Sequence, residues 1–113
     1  MAKFLVSFPA SAMIADAQDL PAISEASRAV IREAKAAGIY VFGGGINNEV
    51  APVRVAQDGR CSLETYAETA QLDGGFCVLQ LPSRQAAMHW AAKLAAACRC
   101  PQELREFFDD PES

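Results

Sequence analysis

The chain has 113 residues, 51% of them hydrophobic and 21% charged, which suits one folded domain with a single core. The net charge is −4, and the ten Lys and Arg residues form no cluster or stripe, which argues against nucleic acid and anionic membrane as partners. No apolar run approaches the roughly 20 residues of a membrane span. The opening MAKFLVSF breaks at Pro9, before it reaches the length of a signal peptide's apolar region, so a cytoplasmic location is expected.

Residues 3–8 place Phe4, Val6 and Phe8 on one side, the period of a strand. A loop of small and polar residues follows. Asp19 can cap a helix, and Pro21 suits a first helical turn. Ile23, Ala26, Val30, Ala34 and Ala37 then recur at three- and four-residue spacing, which predicts a helix over 21–37. Gly38 stands where a left-handed helix terminus is needed.

Residues 39–42 read as a short strand ending in a glycine turn at 43–45. The triple glycine is no phosphate loop, since neither Lys-Ser nor Lys-Thr follows it and no helix begins there. Residues 53–57 and 60–63 flank Asp58-Gly59 and predict a hairpin with a type I′ turn. Residues 76–81 are apolar on both sides apart from Gln80, as in a strand covered twice. Ser83 is a good N-cap for a second helix ending near Ala97, with Ala87, Ala91, Leu94 and Cys98 in one line. Residues 102–108 fit a last strand, with Leu104 and Phe108 on one face, or a short helix. Asp109, Asp110 and Glu112 make 109–113 an acidic flexible tail beyond a single domain at 1–108.

This order gives an α+β fold of the ferredoxin-like βαββαβ type: an antiparallel sheet with two helices on one face. Two helices cover only one face of such a sheet, yet 39–42 and 76–81 are apolar on both. A large exposed apolar patch is unusual in a monomer. A homodimer that pairs sheet against sheet would bury it, so a second copy of the chain is the expected partner.

The residues that carry chemistry are few. Four cysteines stand at 61, 77, 98 and 100 beside a single histidine, without zinc-site spacing, and read as buried or incidental thiols. No metal and no cofactor is expected. Glu68 can serve as a general base and Tyr66 as its acid or orienting partner. Thr69 can bind a substrate oxygen, and Arg54 can bind a ligand carboxylate or pair with Glu68. The alternative is a loop whose Thr and Glu satisfy its own backbone, with Arg54 merely solvated. His89 shares a solvent-facing stripe with Gln85 and Lys93, and Trp90 suits packing or an interface better than ligand stacking.

Several motifs together resemble the YCII-related family, in particular its DGPF-domain branch. They are Tyr66-Ala67-Glu68-Thr69, Gly74-Gly75-Phe76, the apolar strand, Pro82-Ser83 and an Ala-rich helix with Trp90-Ala91. Residues 36–44 are similar to the family's first-helix exit and second strand. The resemblance spans roughly residues 3–108. It implies a ferredoxin-like domain that pairs into a dimeric α+β barrel, with a small-molecule-sized cleft at one end of the sheet. The sequence departs from the branch where DGPF would stand, since Leu63-Glu64-Thr65-Tyr66 occupies those positions. Asp73 takes the place of the usual Leu before Gly-Gly. His89 does not correspond to the histidine of the His–Asp pair suspected in other members. Two functions follow as expectations: a dimeric domain that holds a small molecule, or a cofactor-free lyase, isomerase or hydrolase using Glu68 or Tyr66.

Overall fold

The computed structural model describes residues 1–113. Strand β1 (Ala2–Phe8) leads through two 3-10 turns into helix α1 (Leu20–Ala36), which returns to strand β2 (Tyr40–Gly45). Short strands β3 (Arg54–Val55) and β4 (Cys61–Ser62) follow, then a 3-10 turn at Ala67–Thr69 and strand β5 (Gly75–Leu81). Helix α2 (Arg84–Cys98) and strand β6 (Glu103–Glu106) complete an α+β fold. The main sheet has the order β2-β5-β1-β6, and every neighbouring pair is antiparallel. Both helices are therefore crossovers between strands separated by one other strand. Neither helix is long and apolar enough to cross a membrane.

The helix boundaries follow from local chemistry. Ser83 is extended and its hydroxyl accepts the Ala86 amide at 3.1 Å, satisfying one of the first-turn N–H groups that have no helical partner. Ser83→Ala is expected to cost about 1 kcal/mol, read as a lowered denaturation midpoint with an unchanged slope. Gly38, at φ +73°, takes the left-handed position after α1, and its amide reaches the Lys35 carbonyl at 3.0 Å. Pro21 lies in the first turn of α1, but Asp19 caps nothing. Its carboxylate instead lies 3.9 Å from Arg99, the residue that ends α2 in a left-handed conformation.

One core lies between the helices and one face of the sheet. Phe4 and Val6 of β1 and Cys77, Leu79 and Leu81 of β5 pack against Val30 and Ala34 of α1 and Ala87, Ala91 and Leu94 of α2. The α1 face differs from the expected one. Ala26 and Ala37 are exposed, and Ser27 and Ile31 flank the buried line of Ile23, Val30 and Ala34 instead. That line advances by seven and four residues, and Ala26 and Ala37 fall to one side of it.

Three further expectations are corrected. The glycines at 43–45 are not a turn. They continue β2 alongside β5, where a Cβ on Gly43 would stand 2.7 Å from the Tyr40 hydroxyl and 3.0 Å from the Phe76 carbonyl. The hairpin is shorter than expected and lies outside the main sheet. Its turn has a positive φ only at Gly59, with the Gly59 amide on the Ala56 carbonyl and the Ala56 amide on the Arg60 carbonyl. This is a type I turn with a glycine bulge, not type I′. Residues 102–108 contain a strand and no helix, but it stops at Glu106. Leu104 reaches the core, whereas Phe108 is 98% exposed.

By alternation, Leu5 of β1, Phe76 and Val78 of β5 and Phe42 of β2 point away from the helices. Phe42 is 68% exposed, and the other three are only partly buried. No helix covers this open face, and only the segment 68–72 borders it, beside Leu5, Ser7 and Phe76. Only 14 of the 113 residues are buried. The radius of gyration is 15.6 Å, against about 13 Å for a compact chain of similar length. Residues 46–73 form an arm that leaves β2 and returns to β5.

Candidate functional site

The arm begins and ends at one place. The Ile46 amide donates to the Gly74 carbonyl at 2.9 Å, and the Asp73 carboxylate accepts the Ala10 amide at 3.0 Å. Gly74 is wedged against the end of β1, where a Cβ would stand 2.0 Å from the Phe8 carbonyl oxygen. Because those neighbours are backbone atoms, Gly74 is required by close approach, whereas Gly75 is covered only by the end of the Phe8 ring, which can shift. Between these roots the arm is shaped by local bonds. Asn47 and Ser62 each accept the amide two residues on, at 3.1 and 3.0 Å, and Asp58 does the same for Arg60 at 3.0 Å.

The arm encloses a half-open cleft of about 790 Å³, within the range of small-molecule sites. Ile46, Val50, Val53 and Leu72 form its apolar wall, and Arg54, Tyr66, Thr69, Asn47 and Asn48 supply polar groups. The Arg54 guanidinium lies 5.6 Å from the centre of the Tyr66 ring, and 3.6 Å from the Glu64 carboxylate. Arg54 therefore pairs with Glu64, not with Glu68. The Glu64 side chain is 85% exposed, so this ion pair adds little stability. The fork keeps donors free for a second carboxylate. The Thr69 hydroxyl donates to the Tyr66 carbonyl at 3.2 Å, while the Tyr66 hydroxyl has no partner in the chain.

Three of the four candidate residues thus meet in one cleft, and Glu68 does not. It borders a separate hollow of about 390 Å³ on the open sheet face, with Leu5, Ser7, Phe76, Glu103 and Arg105. The Ala67–Thr69 segment is a 3-10 turn with three residues per turn, so Tyr66 and Thr69 share a side and Glu68 turns away. Sequence reasoning missed Glu64, which takes the Arg54 partnership, and Asp73, which ties the arm to the end of β1. A carboxylate directly before Gly-Gly was the available signal for Asp73.

The remaining candidates lie elsewhere. His89 is exposed on α2, edge-on to Trp90 at 6.4 Å, and Trp90 packs partly buried against the core. Cys77, Cys98 and Cys100 are buried free thiols, and Cys61 is exposed on the arm. Burial, then the neighbouring Cys98, pushes the Cys77 thiol up to about 11, and burial also raises Cys98 and Cys100. These three are accordingly poor nucleophiles at neutral pH. No group of three or more His, Cys, Asp or Glu side chains converges in a way that would hold a metal ion. No family model matches the chain, and no curated protein matches it.

Proposed function

We propose that the chain is a homodimeric YCII-related domain of the DGPF branch, ferredoxin-like in plan, that holds a small carboxylate-bearing molecule in the arm cleft. The observation that carries the ligand assignment is the Arg54 guanidinium, set between Tyr66 and Glu64 above an apolar wall. Such a fork grips a carboxylate in two places, and the apolar wall suits the rest of a small molecule. The strand order β2-β5-β1-β6, with a helix in each crossover, supports the family reading, as does the uncovered sheet face.

A thermal-shift series tests this with small carboxylic acids set against their neutral amides. Acids should raise the melting temperature, and saturation at 100 times the dissociation constant corresponds to about 2.7 kcal/mol. Arg54→Ala should weaken that response by about tenfold or more, and Arg54→Lys should not restore it, because Lys lacks the planar fork. Equal responses to acids and amides, or an undiminished response in Arg54→Ala, would count against the assignment.

The second reading is a cofactor-free lyase, isomerase or hydrolase that uses Glu68 or Tyr66 in acid–base chemistry. Tyr66, which lines the cleft and whose hydroxyl has no partner in the chain, favours it. Glu68 borders a different hollow, so a single chain gives this reading less support than ligand holding.

A further inference from the structure

We propose that the molecule held in the arm cleft is a zwitterion: a small amino acid with an apolar body, its carboxylate on Arg54 and its ammonium on Asp73. This rests on the carboxylate reading above and adds a second charge and the residue that meets it. Just two of the residues lining the cleft are charged, one of each sign, Arg54 and Asp73. They reach it from different segments, Arg54 from β3 and Asp73 from the root of the arm, just before β5. They do not neutralise each other. The Arg54 guanidinium meets Glu64, which is not part of the lining, and Asp73 belongs to no ion pair. From 46 to 73 every residue is exposed except Arg54, Ser62 and Asp73, which are partly covered. A charge at a partly covered site is screened less than one in open solvent.

The Asp73 carboxylate is both tied down and underused. It accepts the Ala10 amide at 3.0 Å, and that is its one hydrogen bond. An ionised carboxylate offers about four acceptor positions, so capacity remains for a donor from a ligand. A ligand with only a carboxylate would bring a second negative charge into a cleft that already holds one. A ligand with only an amine would meet Arg54 in the same unfavourable way. A molecule that carries both groups can give each cleft residue an opposite charge, and its ammonium donates to Asp73 in a charge-assisted bond. Specificity against the singly charged analogues then comes from repulsion as well as from attraction. Ile46, Val50, Val53 and Leu72 line the same cleft and suit an aliphatic body.

A six-carbon series tests this by titration calorimetry. Hexanoic acid, hexylamine, norleucine and ε-aminocaproic acid differ in which charges they carry, and the two amino acids set the ammonium near to and far from the carboxylate. At least one amino acid should bind about tenfold or more tighter than both hexanoic acid and hexylamine, the gain from one charge-assisted bond. Asp73→Asn removes the charge but keeps an oxygen for the Ala10 amide. In that variant the amino acid should lose its advantage, while hexanoic acid should bind more tightly than before. If Asp73→Asn fails to fold by circular dichroism, the wild-type series decides alone. Wild-type protein that binds hexanoic acid as tightly as both amino acids overturns the zwitterion and leaves the carboxylate reading standing. A folded Asp73→Asn variant that still prefers an amino acid does the same. Wild-type protein that binds neither hexanoic acid nor either amino acid overturns the carboxylate reading, and the zwitterion with it.

Discussion

Gly74→Ala is expected to destabilise the protein by about 3 kcal/mol or more, at the upper end of what overpacking costs. The added methyl would stand 2.0 Å from the Phe8 carbonyl oxygen, 2.8 Å from the Ala10 nitrogen and 2.9 Å from the Pro9 carbonyl carbon. All three are backbone atoms, so no side chain can rotate aside. Relief requires parting the end of β1 from the start of β5, which breaks the Phe8–Gly75 pairing and strains the Asp73–Ala10 bond that anchors the arm. For a domain near this size each kcal/mol moves the melting temperature by roughly 4–8 °C, so a fall of well over 10 °C should be seen. Gly44→Ala is the control, because a Cβ there meets nothing within 4 Å. Equal melting of the two variants would refute the steric account.

Val78→Arg is expected to leave a folded monomer. Val78 pairs with Leu5 on one side and Phe42 on the other, at the centre of the face that the helices do not cover. In a single chain the arginine would reach water and the fold should tolerate it. Across a sheet-to-sheet interface it would be a buried charge without a partner, at a cost of about 3 kcal/mol or more, over a hundredfold in the dissociation constant. Light scattering reads the mass, and circular dichroism reads the fold. Leu79→Arg, one residue along, puts the same charge among side chains that are 1% exposed on the helix side, and should unfold the chain. If Val78→Arg still sediments as a dimer, the sheet face is not the interface.

The features that could be read from the sequence are those decided within a few residues. Ser83 caps α2 because a hydroxyl reaches an amide three positions on, and Gly38 ends α1 because only the local backbone has to bend. The apolar run at 76–81 reads as a strand covered on both faces; it is a strand, paired on both edges, but within the chain only its helix-side face is buried. What escaped was decided by distant partners. Whether Gly43 to Gly45 turn or pair depends on β5 lying beside them, and on Tyr40 needing the space above Gly43. Asp58-Gly59 suits more than one turn, and the five-residue connection selects the bulged form. In the cleft, Tyr66, Thr69 and Arg54 were found as a group. Glu68 was grouped with them on sequence proximity, which a three-residue turn period overrides.

The hydrogen bond between Ile46 and Gly74 has a consequence for how such a protein can change over time. It seals the excursion at its base, so the frame of four strands and two helices closes without reference to what the arm contains. Doubling the length of a flexible loop adds only about 0.6 kcal/mol to the cost of closing it. Insertions, deletions and new side chains between these two residues therefore burden folding little, while they redraw the cleft wall that Arg54 and Tyr66 stand in. The shape and lining of the cleft can therefore change while the frame of strands and helices stays under separate constraint.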